Sequence, residues 1–191
     1  MAAFTELLAD RGYAGVTISD LAGKANVSRA TFYEHFADKQ ACLFAAYDEF
    51  ALTLLSAMTA DVDDDTPWSA FIDATLAGYL GALEQNPTGG RAFIVEMDSA
   101  GPEARRRRRE AARAFAALIA QRHATIRARD PSLGPWPERV YLGLALGVRE
   151  LVREALEDDP APRLTQLASD IVIWITATVE GATAAQRSAA R

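Results

Sequence analysis

TISDLAGKANVSRATFYEHFADK, residues 17–39, decides how this chain begins to fold. Thr17 has the side chain of a helix N-cap, and Asp20 three residues later completes a capping-box pattern. Ile18, Leu21, Ala22 and Ala25 then fall at i, i+3, i+4 and i+7, one apolar face of a helix. Asn26 follows, and Asn tolerates the left-handed backbone that ends a helix sharply. Val27 reads as an apolar plug under the turn, and Ser28 as the cap of a second helix. In that helix Phe32 and Phe36 lie four apart and face inward together. Ala30, Thr31 and Glu34 point roughly the other way, with Tyr33 and His35 on the flanks. Helix, tight turn and helix are the parts of a helix-turn-helix, whose second helix brings its first residues to base edges in the DNA major groove. Here those residues are Ser28, Arg29, Ala30 and Thr31. Small side chains at 30 and 31 allow close approach. Arg29 can fork to a guanine, and a threonine methyl can touch a thymine methyl.

Several positions carry one pattern together: Gly12 with Tyr13, Thr17, Asp20–Leu21–Ala22, Val27-Ser28, Tyr33, His35-Phe36 and Lys39. From about Phe4 to Leu43 the chain resembles the DNA-binding domain of the TetR/AcrR family of one-component regulators. The resemblance implies phosphate contacts from Thr17, Tyr33 and Lys39. It implies base or near-base contacts from residues 28 to 31, with His35 adjacent. Asn26 stands where the family usually has Gly. Family members usually carry a longer, often basic arm before the first helix, whereas Met1 already lies inside that helix.

Charge alone does not announce DNA. The chain has 191 residues, 50% of them apolar, and a formal net charge of −6. Its first 45 residues hold four cations (Arg11, Lys24, Arg29, Lys39) against five carboxylates, a balance of −1. Phosphate contacts must then come from a few well-placed donors, and non-specific affinity should be modest. Cys42 is the only cysteine, which forbids an internal disulfide and fits a cytoplasmic protein. We read it as a small buried hydrophobe. There is no signal peptide and no uninterrupted run of about 18 apolar residues, so no membrane partner is expected.

Breakers divide the rest into helices. We expect Asp38 to cap a helix from Lys39 to about Ala60, ended by the acidic stretch 61–66. Thr66-Pro67 starts another, running to about Gln85 with Pro at its first position. Asn86-Pro87 breaks it, and a short helix spans roughly Gly90 to Ala100. Gly101-Pro102 opens a long helix to about Arg129, and further helices cover Glu138–Glu157 and Arg163 to about Glu180. No strand alternation is present. The expectation is an all-α protein of about nine helices. It comprises a helix-turn-helix domain over 1–45, a larger ligand-binding and dimerisation domain over 46–185, and a frayed tail over 186–191.

Val140–Val148 is apolar all round and must be covered on both sides. Gly143, Ala145 and Gly147 would permit close helix approach. Leu164, Leu167, Ile171, Trp174, Ile175 and Thr178 make a stripe on the last helix. One reading is a buried bundle core. The other, supported by the resemblance, is that these two helices pair with their copies in a homodimer.

The family carries a small-molecule pocket among its middle helices. Here these hold Trp68, Phe71, Tyr79, Phe93, Met97, Phe115 and Tyr141, with Thr75, Glu96 and His123 as polar residues able to orient a ligand. Aromatics at helical spacing serve equally as plain core, and His123 reads more readily as a satisfied histidine. Five consecutive arginines, Arg105–Arg109, wrap the whole helix rather than forming a stripe. They read as a solvated, partly salt-bridged surface. The alternative is attraction to DNA or to the acidic 61–65 stretch.

Enzyme readings lack parts. There is no Gly-rich phosphate loop, no GxSxG, HExxH or CxxC, and only two histidines. Asp61, Asp63, Asp64 and Asp65 lack the glycine and terminal Glu of an EF-hand. No cofactor, metal or catalytic residue is expected. The sequence reads as a repressor released from a palindromic, double-stranded DNA operator by an unidentified small-molecule effector, with helix Lys39–Ala60 as the lever. A helical ligand-binding or protein-interaction module with vestigial DNA binding is the alternative.

Overall fold

The computed structural model describes residues 1–130 and 132–189, with side chains in the last helix described up to Ala185. Among the described residues there are nine α-helices and no strand. They are α1 (Ala2–Arg11), α2 (Ile18–Lys24), α3 (Arg29–His35), α4 (Lys39–Thr59), α5 (Trp68–Gln85), α6 (Pro87–Gly90), α7 (Pro102–Arg129), α8 (Glu138–Asp158) and α9 (Ala168–Ala189).

Local chemistry sets the ends. Thr17 and Asp20 form the full capping box on α2, the Asp20 amide donating to Thr17 Oγ1 at 3.2 Å and the Thr17 amide to Asp20 Oδ2 at 2.9 Å. These bonds hold the Asp20 carboxyl below its usual range. Asn26 adopts φ 54, the one non-glycine residue with positive φ among those described. Ser28 caps α3 by accepting from the Thr31 amide at 3.0 Å, and Asp38 caps α4 by accepting from the Ala41 amide at 2.7 Å. Val27 corrects the expectation of a plug. Its amide closes the turn on Ala22 O at 2.9 Å, but its side chain is 42% exposed.

Several boundaries shift. Pro67 is the N-cap of α5 rather than its first residue. The short helix expected over 90–100 is three pieces: α6, a π-helical turn over Arg91–Val95 and a 3₁₀ turn over Glu96–Ala100. The last helix is preceded by a 3₁₀ turn over Leu164–Leu167 and runs on to Ala189, past Glu180. The side chains of the expected tail, 186–191, lie outside the described residues.

One apolar core runs through the chain. Phe4, Leu8, Val16, Leu21, Phe32 and Leu43 form its N-terminal part, and Leu80, Leu83, Met97, Leu156, Leu164 and Ile171 its larger part. The boundary expected after residue 45 falls inside α4, which buries Cys42 and Leu43 before it and Ala46, Tyr47, Phe50 and Leu54 beyond it. No linker therefore separates the two parts. α4 is a continuous rod of about 31 Å shared by both, at 1.5 Å per residue. Burial pushes the Cys42 thiol up to about 11, as expected of an inert core thiol. The stretches Lys39–Thr59 and Leu164–Ala185 are long and apolar enough to cross a membrane by length and composition, yet both contribute to this core.

The expected stripe on the last helix merges two faces. Leu164, Ile171 and Ile175 are buried, whereas Trp174 is 38% and Ile173 68% exposed. On α8 Leu146 and Leu151 also face outward. Gly147 is where the two helices touch: a Cβ there would lie 2.5 Å from Trp174 Cη2. Gly143 faces open space, and Ala145 faces inward to a cavity.

A candidate nucleic-acid interface and an apolar cavity

α3 offers its N-terminal turn to the outside. Ser28, Arg29 and Ala30 are exposed, Thr31 is half-buried, and Phe32 is the anchor, 6% exposed, tilted against Phe36 with ring centres 5.4 Å apart. Tyr33 (49% exposed) and His35 flank the same face. Ser28 Oγ and Thr31 Oγ1 lie 3.0 Å apart, so cap and reading surface share atoms. Thr17 is exposed at the start of α2, with its hydroxyl donating to Asp20 Oδ2 at 2.6 Å.

The cations of this region are mostly engaged. Lys24 pairs with Glu6 at 2.6 Å, and Arg11 with Asp10 at 3.2 Å. Of the four Lys and Arg side chains in residues 1–45, only that of Arg29 has no partner among the described residues. Lys39 does something the sequence did not reveal. Its ammonium donates to Tyr13 O at 2.8 Å and Val16 O at 2.7 Å, and it sits 4.0 Å from the centre of the Tyr13 ring. Two of its three protons thus fasten the α1–α2 turn to the start of α4.

A cavity of about 1070 Å³, its open mouth included, lies among α4, α5, α7 and α8. Of the expected pocket residues, Trp68, Phe71, Thr75, Tyr79, Phe93 and Phe115 line it. Met97 and Tyr141 do not. Met97 is fully buried in the core, and Tyr141 belongs to an aromatic cluster behind the wall. Glu96 is elsewhere too: its carboxylate would lie 3.2 Å from a Cβ on Gly12, whose φ of 64 already favours glycine. Sequence reading missed Tyr47, Phe50, Arg108 and Arg149 in the lining. The spacing was available. Tyr47, Phe50 and Leu54 share one face of α4, and Arg149 follows Ala145 and Val148 by four and one on α8. Arg108 was hidden inside the arginine run.

The wall is apolar, with few polar groups. Trp68 Nε1 and Thr75 Oγ1 are buried and have no hydrogen-bond partner. Burial raises the Tyr79 hydroxyl on α5 and the Tyr47 hydroxyl on α4 above their usual range. Arg149 donates to Ile94 O at 2.7 Å, inside the π-helical turn, and its pKa is drawn down by burial. Phe50 and Phe93, with ring centres 5.0 Å apart, also line a second cleft bordered by Thr5, Glu6 and Glu49 on α1 and α4. That ring pair is the partition between cavity and cleft.

His123 corrects the picture of a satisfied histidine. It is fully buried, with Trp136 stacked at 3.8 Å and Trp68 edge-on at 4.9 Å. Its Nδ1 lies 2.9 Å from Tyr141 Oη, while Nε2 has no partner. Burial holds its pKa down at about 4.

The arginine run is tied to its neighbours. Arg106 bridges Glu103 and Glu110, Arg107 pairs with Asp48, Arg108 reaches Asp98 at 2.8 Å, and Arg105 donates to Asp98 O at 3.1 Å. The acidic 61–65 stretch is held by the far half of α7 instead: Arg122 by Asp64 at 3.5 Å and Arg129 by Asp65 at 2.7 Å.

Residues 1–46 match the family model of bacterial regulatory proteins of the tetR family. The regulator EthR of Mycobacterium tuberculosis is 32% identical over 105 residues, covering 51% of this chain and 49% of EthR. The chain spans less than half the length of the curated relatives it matches. The fold resembles that of FadR from Bacillus subtilis in complex with stearoyl-CoA, with TM-score 0.79 and 16% identity over 91% of this chain and 94% of FadR. It also resembles a tetR-family regulatory protein from Rhodococcus RHA1, with TM-score 0.70 and 21% identity over 93% of both chains.

Proposed function

Because the chain belongs to the TetR family of bacterial regulatory proteins, we propose that it is a homodimeric, cytoplasmic transcriptional repressor released from a palindromic operator by a small molecule. One observation carries the proposal. The exposed turn at residues 28–31 and the apolar cavity are joined by a single unbroken helix, α4. Ser28–Thr31, with His35 adjacent, read bases, and Thr17 and Tyr33 grip phosphate. Lys39 has one proton left for phosphate, so its first role is to hold the α1–α2 turn on α4.

The dimer forms through the outward apolar side chains of α8 and α9: Leu146, Leu151, Ile173 and Trp174. Two copies are needed because one helix-turn-helix reads few base pairs, and a two-fold dimer reads a palindrome. The effector occupies the cavity; FadR, whose fold this chain resembles, was solved in complex with a small molecule, stearoyl-CoA. It releases DNA only to the extent that it binds one spacing of the two α3 helices better than the other.

The test is a gel shift against the DNA flanking the chain's own gene. Arg29→Ala should change base preference, and Tyr33→Phe should weaken all sequences alike. Equal binding of the unaltered chain to any DNA would sink the specific-reader proposal. The engagement of Lys24, Arg11 and Lys39 by the chain's own groups favours a second reading, a helical ligand-binding module with vestigial DNA binding. No shift with any flanking DNA would favour that one.

A further inference from the structure

We propose that the cavity takes an amphiphile with an anionic head, a long-chain carboxylate, held head-first at Arg149. This rests on the reading that the cavity is the effector site. The first observation is a charge with no carboxylate in contact. Arg149 lines the cavity, its one hydrogen-bond partner among the described residues is a carbonyl, Ile94 O, and the carboxylate that acts on it from nearby, Asp98, is bonded to Arg108. Among the described residues no carboxylate pairs with it, and no Asp or Glu lines the cavity. The nearby Arg108 is different, since Asp98 neutralises it at 2.8 Å. A guanidinium carries five N–H donors, so Arg149 retains four for a ligand. A half-buried cation in an apolar wall loses hydration, and an anion that pairs with it restores the lost interaction.

The second observation is the grouping of donors. Tyr47 and Tyr79 line the same cavity as Arg149, and neither hydroxyl has a hydrogen-bond partner among the described residues. Thr75 Oγ1, one turn before Tyr79 on α5, is buried and unpartnered as well. Arginine, phenols and threonine hydroxyl together present donors to one region, as a carboxylate requires.

The third observation is shape. The α5 face that lines the cavity runs from Tyr79 to Trp68, about 16 Å at 1.5 Å per residue. Beyond the head region its lining is Leu54, Met58, Phe71, Ile119 and Leu144, which suits an alkyl chain and no second charge.

The experiment is titration calorimetry on the full chain with dodecanoate, dodecanol, dodecylamine and dodecanoyl-CoA. Dodecanoate should bind at least about tenfold tighter than dodecanol, the ratio expected of one charge-assisted contact. Dodecylamine should bind weakest. Arg149→Gln should erase the acid-over-alcohol preference, and Arg149→Lys should retain most of it. Melting temperatures of both variants check that they fold. Equal affinity for acid and alcohol, or a preference that survives Arg149→Gln, would overturn the head-group assignment while leaving the cavity as the effector site. Binding of the thioester but not the free acid would overturn it in favour of a carbonyl head. Binding of no probe would overturn both it and the cavity reading, and DNA binding by the same preparation is scored separately.

Discussion

Lys39 carries a role that its type did not reveal. The family resemblance implies a phosphate contact, and its distances to Tyr13 O and Val16 O make it a fastener between the α1–α2 turn and α4 as well. Lys39→Met leaves two carbonyls short of a charged donor and should cost about 2 kcal/mol, read as a lowered urea midpoint. DNA binding should fall with it at every sequence. His123 gives a second residue-scale prediction. Its folded pKa of about 4 lies below the unfolded value near 6.5, so the unfolded chain binds more protons between those values. Stability should therefore be full above about pH 6.5 and decline as pH falls toward 4, by up to about 3 kcal/mol. Urea midpoints at pH 4.5 and 7 would show this. In His123→Phe that part of the pH dependence should disappear.

Among the elements, the segment between α5 and α7 was least legible, and it ties α1 to α8. Its sequence, Asn86 to Gly101, offers Pro and Gly as breakers, and these locate its ends. They do not tell a helix from a π turn followed by a 3₁₀ turn, because that distinction is made by neighbours. Arg91 donates to Ala9 O on α1 and to Leu156 O on α8, both at 3.3 Å, while two residues on Phe93 faces the cavity. A π turn inside a helical segment marks a place where the backbone register can change at modest cost. Arg91→Ala should leave effector binding within about threefold but weaken the coupling between effector and DNA, measured as the ratio of operator affinities with and without effector. A ratio equal to that of the unaltered chain would exclude this route and leave α4 alone as the lever. The regular helices, by contrast, were legible to within a few residues, since caps such as Thr17, Ser28 and Asp38 are local. The cavity was legible only in part. Its aromatics on α5 followed a face and Arg149 shares a face of α8 with Ala145 and Val148, but Arg108 enters it because of how α7 crosses it, which a run of five arginines does not encode.

For the whole molecule, charge and symmetry make the predictions. With Arg29 the one Lys or Arg side chain of residues 1–45 that has no partner among the described residues, few counterions are displaced per half-site. The slope of log affinity against log salt for operator binding should be shallow, roughly −2 to −5 per dimer. Ile173→Glu, which puts a carboxylate on the outward face of α9, should give a monomer by light scattering and abolish binding to a palindrome. A variant dimer of unchanged mass would move the interface off these helices.

The three tryptophans hand the molecule its own optical reporters. Trp68 is in the cavity wall, Trp136 lies stacked on His123, and Trp174 looks outward beside Gly147. Trp174 samples assembly, Trp68 the cavity, and Trp68 and Trp136 both touch the ring of His123. Emission from Trp174 should shift to the blue when two copies meet, that from Trp68 should change when the cavity fills, and that from Trp136 should dim as His123 acquires a proton. Single-tryptophan versions, with phenylalanine at the other two positions, would let assembly and, at a fixed pH, occupancy be followed by light alone, without a dye or a label.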